Sequence, residues 1–337
     1  MVSTAALPVR RAARVWWWLG GAALVLVALS AVSLLVGSKA IPVATVLDAL
    51  TAFDPTNNDH LFVREERLPR TLLGLLVGIG LGLAGTVMQA VARNPLADPG
   101  VLGINAGASF LVVVGITVFG VGSLSGYVWF AFAGALLATV LVYGVGALGR
   151  EGATAVKIAL SGAAANAAFV SLTTTVLLSD TDAFERFRLW QVGSLAGRDG
   201  EVLAQVAPFL IAGAVLAVAS GRLLNTLTLG DDVARGLGQN VALARVIAGV
   251  TVVLLAGAAT AAAGPIAFVG LAVPPVARMV AGTDHRIVLP AALLFAPILV
   301  LVADIVGRVV ARPGEVQVGI VTAVLGAPVF IALVRRR

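Results

Sequence analysis

The sequence predicts an all-α, polytopic membrane protein whose roughly ten transmembrane helices form one domain over residues 1–337. Of the 337 residues, 59% are hydrophobic and 12% are charged, and the mean hydropathy is +1.02. Soluble globular chains carry about 25% charged residues, so this composition indicates burial in lipid. The apolar runs are long enough for a hydrocarbon core of about 30 Å, at about 1.5 Å of helix per residue. No long polar block interrupts them, so we expect no separate extramembrane domain.

Hydropathy divides the chain into ten candidate spans. They cover residues 16–37, 71–92, 100–120, 126–148, 156–178, 202–220, 241–262, 264–281, 288–307 and 317–334. The first span follows Arg10, Arg11 and Arg14, as the core of a secretory signal peptide would. Its 22 residues exceed such a core, and Trp16–Trp18 suit a membrane interface, so we interpret it as a spanning helix.

The basic residues orient these spans. Ten spans place both termini on one side, and that side holds 14 of the 23 lysines and arginines but only 5 of the 17 acidic residues. The 14 basic and 5 acidic residues give a net +9 there, whereas 9 basic and 12 acidic residues give −3 on the other side. The positive-inside rule therefore predicts a multi-pass protein of the plasma (inner) membrane with both termini in the cytoplasm. The pI near 10.9 reflects this topology, and we expect no nucleic-acid partner.

The reactive residue types exclude several classes of chemistry. The chain has no cysteine, which rules out a disulfide framework, a thiolate metal site and a cysteine nucleophile. Its two lysines, Lys39 and Lys157, follow Ser38 and Val156, so no Gly-Lys pair can form a Walker A phosphate cradle. We therefore expect no enzymatic activity, no catalytic residue, no metal site and no directly bound cofactor.

The passage from Arg67 to Ser109 joins a membrane helix to a dense polar turn. Within its helical half, Gly74, Gly78 and Gly82 recur at every fourth residue and form a stripe where another helix can approach closely. The polar half, residues 93–100, contains Arg, Asn, two prolines and Asp. Such irregular backbone at membrane depth must be held by protein and not by lipid.

A short internal sequence similarity suggests a repeat. Residues 94–103 read NPLADPGVLG and residues 264–273 read GPIAFVGLAV, with Pro, Ala and Gly matching at an offset of 170. The topology puts the two segments on opposite sides of the membrane, as an inverted repeat of spans two to five and seven to ten requires. Three matches in a chain rich in these residue types could also arise by chance.

Two blocks of motifs resemble the FecCD-type permeases, the membrane subunits of type II ABC importers for iron-siderophores, haem and vitamin B12. The first block contains Arg67-Leu68-Pro69-Arg70, Met88-Gln89 and Asn94-Pro95-Leu96-Ala97. The second contains Gly264-Pro265-Ile266, Phe268-Val269-Gly270-Leu271, Asp284-His285-Arg286, Ala303-Asp304 and Arg308. The resemblance covers the chain from about residue 40 to its end. The sequence departs from the family pattern at Pro275, where a histidine is common, and at Gln317, where a proline is common.

The resemblance implies an inverted-repeat permease with no ATPase of its own. The partners it implies are a second permease subunit, identical or closely related, two ATP-binding subunits that use the ATP, and an extracytoplasmic substrate-binding protein. It also implies that residues 221–241 form the cytoplasmic coupling loop, with Asp231, Ala234, Gly236 and Gly238 as the coupling residues. The alternative is an ordinary solvated loop between two spans.

On the outer face, the resemblance implies that Arg67, Arg70 and Arg308 pair with glutamates of the binding protein. Such charge pairs set orientation and association rate. The alternative for each arginine is snorkelling at a helix end, which is common. By the same resemblance the fifth span lines the translocation path, with Ser161, Asn166 and Thr173 as candidates. From sequence alone, these side chains could equally make interhelical hydrogen bonds.

The substrate class follows less directly. The pattern Trp190-x-x-Gly193-Ser194-Leu195 is more similar to iron-siderophore permeases than to vitamin B12 permeases. It does not exclude haem as the substrate. The alternative for Trp190 is an interfacial anchor. We therefore expect inward transport of an iron-siderophore chelate. The alternatives are a haem or vitamin B12 importer of the same family, an ion-coupled secondary transporter with inverted repeats, and a membrane scaffold or receptor that transports nothing.

Overall fold

The computed structural model describes residues 9–37, 39–148, 155–312 and 314–335, and all regular secondary structure in these ranges is helical. The helices are α1 (Val9–Leu35), α2 (Val43–Thr51), α3 (Asn58–Leu61), α4 (Leu68–Ala92), α5 (Ile104–Thr117), α6 (Leu124–Gly146), α7 (Ala155–Ser179), α8 (Thr181–Gln191), α9 (Gly200–Ala219), α10 (Gly221–Thr228), α11 (Asp231–Gly236), α12 (Val241–Val252), α13 (Ala258–Ala263), α14 (Val269–Ala281), α15 (His285–Val310) and α16 (Val318–Arg335). Two π-helical segments continue these helices, Phe62–Arg67 before α4 and Val253–Gly257 between α12 and α13. Arg150, Glu151, Arg336 and Arg337, which contribute to the charge count, lie outside the described residues.

Ten apolar helices occupy the positions of the ten predicted spans. Seven of them, within the described ranges, are long and apolar enough to cross a membrane, and three shorter ones cover Ile104–Thr117, Val269–Ala281 and Val318–Ile331. The all-helical membrane fold is thus confirmed. The predicted boundaries are wrong mainly before the short helices, since α14 begins at Val269 and not at residue 264. Phe268, the residue directly before α14, has a φ of +68°, and this left-handed conformation prevents an earlier start.

The helix α4 lies at the centre of the bundle. It packs against α9, α12, α14 and α15, and 78% of its most apolar window is buried. The predicted glycine stripe makes this packing possible. A Cβ on Gly78 would lie 2.5 Å from Pro297 Cα, and one on Gly82 would lie 2.3 Å from Ala296 Cβ. Because these contacts involve backbone or a short side chain of α15, only glycine lets the two helices approach so closely.

The short helices α5 and α14 both begin inside the bundle. Before α5, a 3₁₀ turn covers Pro99–Leu102, and a Cβ on Gly162 would lie 1.8 Å from Val101 O. Before α14, residues 264–268 are not helical, and Gly270 lies against α4, where Gln89 Nε2 donates to its carbonyl at 3.2 Å. The irregular backbone is therefore enclosed by protein contacts, as a membrane requires.

The offset of 170 residues relates whole helices and not only ten residues. It carries Leu68–Ala92 onto residues 238–262, which α12, the π segment and α13 occupy from Val241 to Ala263. It also carries the 3₁₀ turn at Pro99 onto Val269, the first residue of α14. Each repeat thus contains one long helix, an irregular segment and one short helix, the arrangement of discontinuous helices that inverted-repeat transporters use near their substrate path.

Candidate translocation groove, coupling loop and outer charge cluster

A groove of about 480 Å³, lined by apolar side chains and by amide and hydroxyl groups, lies where α5, α7 and α8 meet. The predicted path residues Asn166 and Thr173 both line it, as their spacing of seven on one helix face suggests. Ser161 does not line it, and its hydroxyl donates to the Lys157 carbonyl one turn earlier at 2.7 Å. The sequence-based assignment of Ser161 to the path therefore finds no support in the geometry of α7.

Three further polar residues of the groove were missed from the sequence: Asn105, Ser109 and Gln191. Asn105 and Ser109 are four residues apart on α5 and so share one face of that helix. Asn105 Oδ1 also accepts a hydrogen bond from Thr260 Oγ1 at 2.9 Å, which joins the start of α5 to α13. The i, i+4 pair in the short span after the Asn-Pro-Leu-Ala motif was a signal that could have identified them.

Trp190 and residues 193–195 hold helix ends together and are not among the residues that line the groove. The Trp190 side chain is 1% exposed, so the alternative of an interfacial anchor is wrong. Gly193, with a φ of +76°, accepts from Gly319 N at 3.0 Å, and Ser194 N donates to Ala263 O at 2.7 Å. This segment therefore connects the ends of α13 and α16, and gives no contact from which a substrate could be named.

Arg67 and Arg308 lie inside the protein and bind the carboxyl end of α1. Arg67 is 3% exposed and donates to the carbonyls of Leu34 and Leu35 at 2.8 and 3.0 Å. Arg308 is 2% exposed and donates to Ser33 O at 2.8 Å and Val36 O at 3.0 Å. The last carbonyls of a helix have no intrahelical donor, and the two guanidinium groups satisfy them. Both side chains are therefore buried against α1, and the structure gives their expected contact with a docked protein no exposed guanidinium group.

Arg70 is the member of the predicted docking set whose side chain reaches the protein surface. Its guanidinium contacts Asp304 Oδ1 at 2.8 Å and Glu315 Oε2 at 2.8 Å, and its side chain is 13% exposed. Asp304 is 2% exposed and also pairs with Arg308, whereas Glu315 is 25% exposed. We refer to Arg70, Asp304, Arg308 and Glu315 as the outer charge cluster. Its accessible part is the Arg70–Glu315 pair.

The predicted coupling loop folds into two short helices, α10 and α11. Asp231 opens α11 and bridges two arginines, Arg93 at 3.3 Å and Arg245 at 2.7 Å. Arg93 caps α4 in a left-handed conformation, and Arg245 lies in the first turns of α12. Asp231 therefore connects the loop to the two long helices that the repeat relates.

The other predicted coupling residues occupy different environments. Ala234 is fully buried, so it contributes packing beneath α11 and no contact surface. Gly236 is exposed, and a Cβ there would meet nothing within 4 Å. Gly238 has a φ of +80°, and Gln239 N donates to Ala234 O at 3.0 Å while Gly238 N donates to Arg235 O at 2.9 Å. These two bonds form a Schellman motif, which needs glycine to end the helix.

Apolar side chains on the coupling loop face outward. Leu229, Val233 and Leu237 are 61%, 49% and 65% exposed. Val233 lies on α11 and Leu237 follows it by four residues, so these two share one side of the helix, whereas Leu229 precedes α11 across the non-helical Gly230. Their exposure was not predicted, because apolar residues in a short loop give no sequence signal that separates an exposed contact surface from buried packing. We refer to these three residues as the coupling knob.

A second contact anchors the loop to α15. Asn225 on α10 donates to Asp284 Oδ1 at 2.7 Å and accepts from His285 N at 2.8 Å. Burial alone would raise the pKa of the Asp284 carboxyl, but hydrogen bonds from Asn225 and from Arg286 N hold it below its usual value. The Asp284 carboxylate therefore stays ionised at neutral pH and fixes α10 beside the start of α15.

Comparisons with known proteins agree with this geometry. A profile of the FecCD transport family matches residues 24–336. The ferric enterobactin transport system permease protein FepD of Escherichia coli (strain K12) is 46% identical over 318 residues, with 94% of each chain covered. The Fe(3+)-citrate import system permease protein YfmD of Bacillus subtilis (strain 168) is 39% identical over 304 residues, with 90% of each chain covered.

A solved structure shares the fold. It is described as an inward-facing conformation of a metal-chelate type ABC transporter, and it superposes with a TM-score of 0.82 at 28% sequence identity. The match covers 95% of this chain and 98% of the other. The family match over most of the chain decides against an ion-coupled carrier and against a scaffold. The chain therefore belongs to the FecCD transport family and is a multi-pass inner-membrane permease subunit of an ABC transporter, in which partner subunits hydrolyse the ATP.

Proposed function

We propose that this permease carries an iron-siderophore chelate inward through the groove between α5, α7 and α8. The observation that carries this proposal is the character of the groove, whose lining, among the described residues, combines amide and hydroxyl groups with apolar side chains and includes no charged one. A bulky chelate needs a passage that it can enter and leave, so weak polar contacts suit it better than a tight ionic site. Relatives named for ferric enterobactin and Fe(3+)-citrate support the same substrate class.

The groove forms one wall of the path, and a second permease subunit, identical or closely related, supplies the other. The surfaces beside it support this arrangement because they carry large exposed apolar side chains. On α7, Leu160 is 67% and Leu178 is 84% exposed, and on α16, Val324 is 66% exposed. A partner helix packed on these faces would enclose the polar groove and shield it from lipid.

The coupling knob and Gly236 bind the ATPase subunit, and Asp231 transmits the movement. An apolar knob on a short polar loop suits a groove on a partner, because desolvated apolar anchors dominate interface energetics. Asp231 links that loop through Arg93 to α4 and through Arg245 to α12. A displacement of α11 would therefore act on both halves of the repeat at once.

Arg70 binds the substrate-binding protein by exchanging one carboxylate for another. Glu315 is the more exposed of the two acids that Arg70 contacts, so an incoming glutamate can replace it while Asp304 holds the guanidinium in place. Arg67 and Arg308 position this cluster by fixing α1 and do not themselves contact the binding protein. The charge pairs would set orientation and association rate more than affinity.

The test is uptake of radiolabelled iron into proteoliposomes that contain this chain, its ATPase and its binding protein. The iron is presented as a panel of siderophores, with haem and labelled vitamin B12 as competing classes, and ATP is supplied on the ATPase side or withheld. We expect ATP-dependent uptake of a siderophore complex. Exclusive uptake of haem or vitamin B12 would overturn the substrate class, and uptake without ATP would overturn the importer itself.

A substitution in the groove distinguishes a block of the substrate path from a loss of ATPase binding. Ser109→Phe fills the groove between α5 and α7 and should abolish uptake while ATPase binding persists. The control is Gly21→Phe on α1, where a new side chain meets nothing within 4 Å, and it should transport normally. Normal uptake by Ser109→Phe would show that the substrate passes elsewhere.

The absence of cysteine in the chain makes its orientation directly measurable. We propose that both termini and the coupling loop lie in the cytoplasm. Single cysteines at Gly122 and Gly236 fall at open positions on opposite sides of the predicted topology. A membrane-impermeant maleimide added to intact cells should label the first and not the second. The reverse pattern would invert the assignment.

A further inference from the structure

A second groove, of about 990 Å³, opens between α6 and α12. The two helices come together near α13 and the π segment but diverge toward the coupling loop, so the groove widens in that direction. Its described lining residues come from α6, from α11 and the turn after it, and from α12 with its π segment, and none of them belongs to α5, α7 or α8. It is therefore separate from the proposed path.

The groove is apolar along its length and basic at one end. Its walls include Leu136, Val140, Val246 and Val250, which are between 47% and 61% exposed. At the end beside the coupling loop the lining changes to polar side chains, namely Arg235, Gln239, Asn240 and Arg245. Acyl chains match the first part, and an anionic headgroup matches the second.

The ion pairs of the described residues at the basic end contain more arginines than aspartates. Three arginines, Arg93, Arg235 and Arg245, pair with two aspartates, Asp231 and Asp232. Asp231 is divided between Arg93 and Arg245, and Asp232 is 99% exposed in its contact with Arg235. Exposed ion pairs of this kind contribute little, so Arg235 is readily drawn to another anion.

We propose that the groove between α6 and α12 binds an anionic phospholipid, with its acyl chains along the apolar walls and its phosphate at Arg235 and Arg245. Basic pockets between transmembrane helices on the cytoplasmic side are a recognised form of anionic-lipid site. The headgroup would contact the last turn of α11, next to Gly236 and the Schellman motif. A bound lipid would therefore hold the coupling loop in its folded position.

The test measures lipid binding to the full chain in an uncharged detergent, and it requires no transport. Native mass spectrometry and thermal shift are recorded with phosphatidylglycerol, with phosphatidylcholine of the same acyl chains, and with glycerol phosphate. We expect phosphatidylglycerol to bind and stabilise the chain, phosphatidylcholine to bind more weakly, and glycerol phosphate to have no effect. Equal binding of the two lipids, or stabilisation by glycerol phosphate, would overturn the proposal.

Two variants locate the site. Gly144→Phe puts a ring into the groove at a position where a new Cβ meets nothing within 4 Å, and it should abolish retention of phosphatidylglycerol. Gly20→Phe, at an equally open position on α1, should retain the lipid. Arg235→Gln should weaken binding about fivefold, the factor for about 1 kcal/mol per basic residue. Unchanged retention in both Gly144→Phe and Arg235→Gln would refute this site.

Discussion

Asp304→Asn should destabilise the protein by about 3 kcal/mol, because it removes the shared anion of the outer charge cluster. The Asp304 carboxylate accepts from Arg70 Nη2 at 2.8 Å and from Arg70 Nε at 3.1 Å, and it also pairs with Arg308. Asparagine keeps the volume of the side chain but not its charge. Two buried guanidinium groups then face each other without their common counter-ion.

The remaining contacts set the magnitude. Breaking a buried ion pair from one side costs about 3–5 kcal/mol. Arg70 keeps Glu315 at 2.8 Å, and Arg308 keeps the carbonyls of Ser33 and Val36. These partners offset part of the loss, so we place the effect at the lower end of that range. The second consequence is a looser α1, since Asp304 pairs with Arg308, whose guanidinium binds the carboxyl end of α1 and adds to the packing of α1 on α15.

The assay is a reversible denaturant titration of the full chain in micelles, with the unfolding free energy taken from the midpoint and slope. The matched control is Asp232→Asn, because Asp232 is 99% exposed and its surface pair should contribute less than about 1 kcal/mol. If Asp304→Asn loses no more stability than this control, the buried cluster does not stabilise the fold and our reasoning is wrong.

Three further predictions concern packing, coupling and pH. Gly78→Val should destabilise by about 1–3 kcal/mol in the same titration, because its Cβ would meet the Pro297 backbone, whereas Gly20→Val meets open space and should not. Gly236→Trp should lower the affinity of the permease for its ATPase subunit at least about tenfold in a pull-down titration, without lowering thermal stability. Gly236→Ala should bind the ATPase normally. Equal binding by the two variants would refute the proposed coupling surface. The pKa of Asp284 is lower in the folded protein than its unfolded value of about 3.9. The ionised carboxylate therefore stabilises the fold at pH values above about 3.9, and this stabilisation is lost as the pH falls through the folded-state pKa. Proteolysis of the coupling loop should therefore rise below about pH 4 in the wild type and be raised at all pH values in Asp284→Ala; a wild-type rate independent of pH would contradict this.

The helices were predictable because lipid imposes a simple requirement. Each span needs a long apolar run, and hydropathy therefore located all ten helices with errors of a few residues at their ends. The glycine stripe on α4 was predictable for a similar reason, since Gly78 and Gly82 leave room that only close backbone packing can fill. The first residue of α14 was not predictable from hydropathy. It depends on the backbone conformation of Gly264 and Phe268, which both adopt positive φ, and hydropathy carries no information about backbone angles.

The site residues were less predictable, because sequence shows which groups are polar but not which partner they find. Arg67, Arg70 and Arg308 look alike as outer arginines, yet only Arg70 reaches the surface. What separates them is the carboxyl end of α1, whose free carbonyls attract two of the three guanidinium groups. Asn105 was missed for the complementary reason, since its role depends on Thr260, 155 residues away.

The attachment of α1 has a consequence for how the chain is made. Arg308 donates to Ser33 across 275 residues of sequence, and only 17% of the most apolar window of α1 is buried against the rest of the bundle. The Arg308 contact with α1 can form only once α15 has been made, whereas Arg67, which binds the carbonyls of Leu34 and Leu35, is available much earlier in synthesis. Insertion of α1 into the membrane and completion of its packing are therefore separate events.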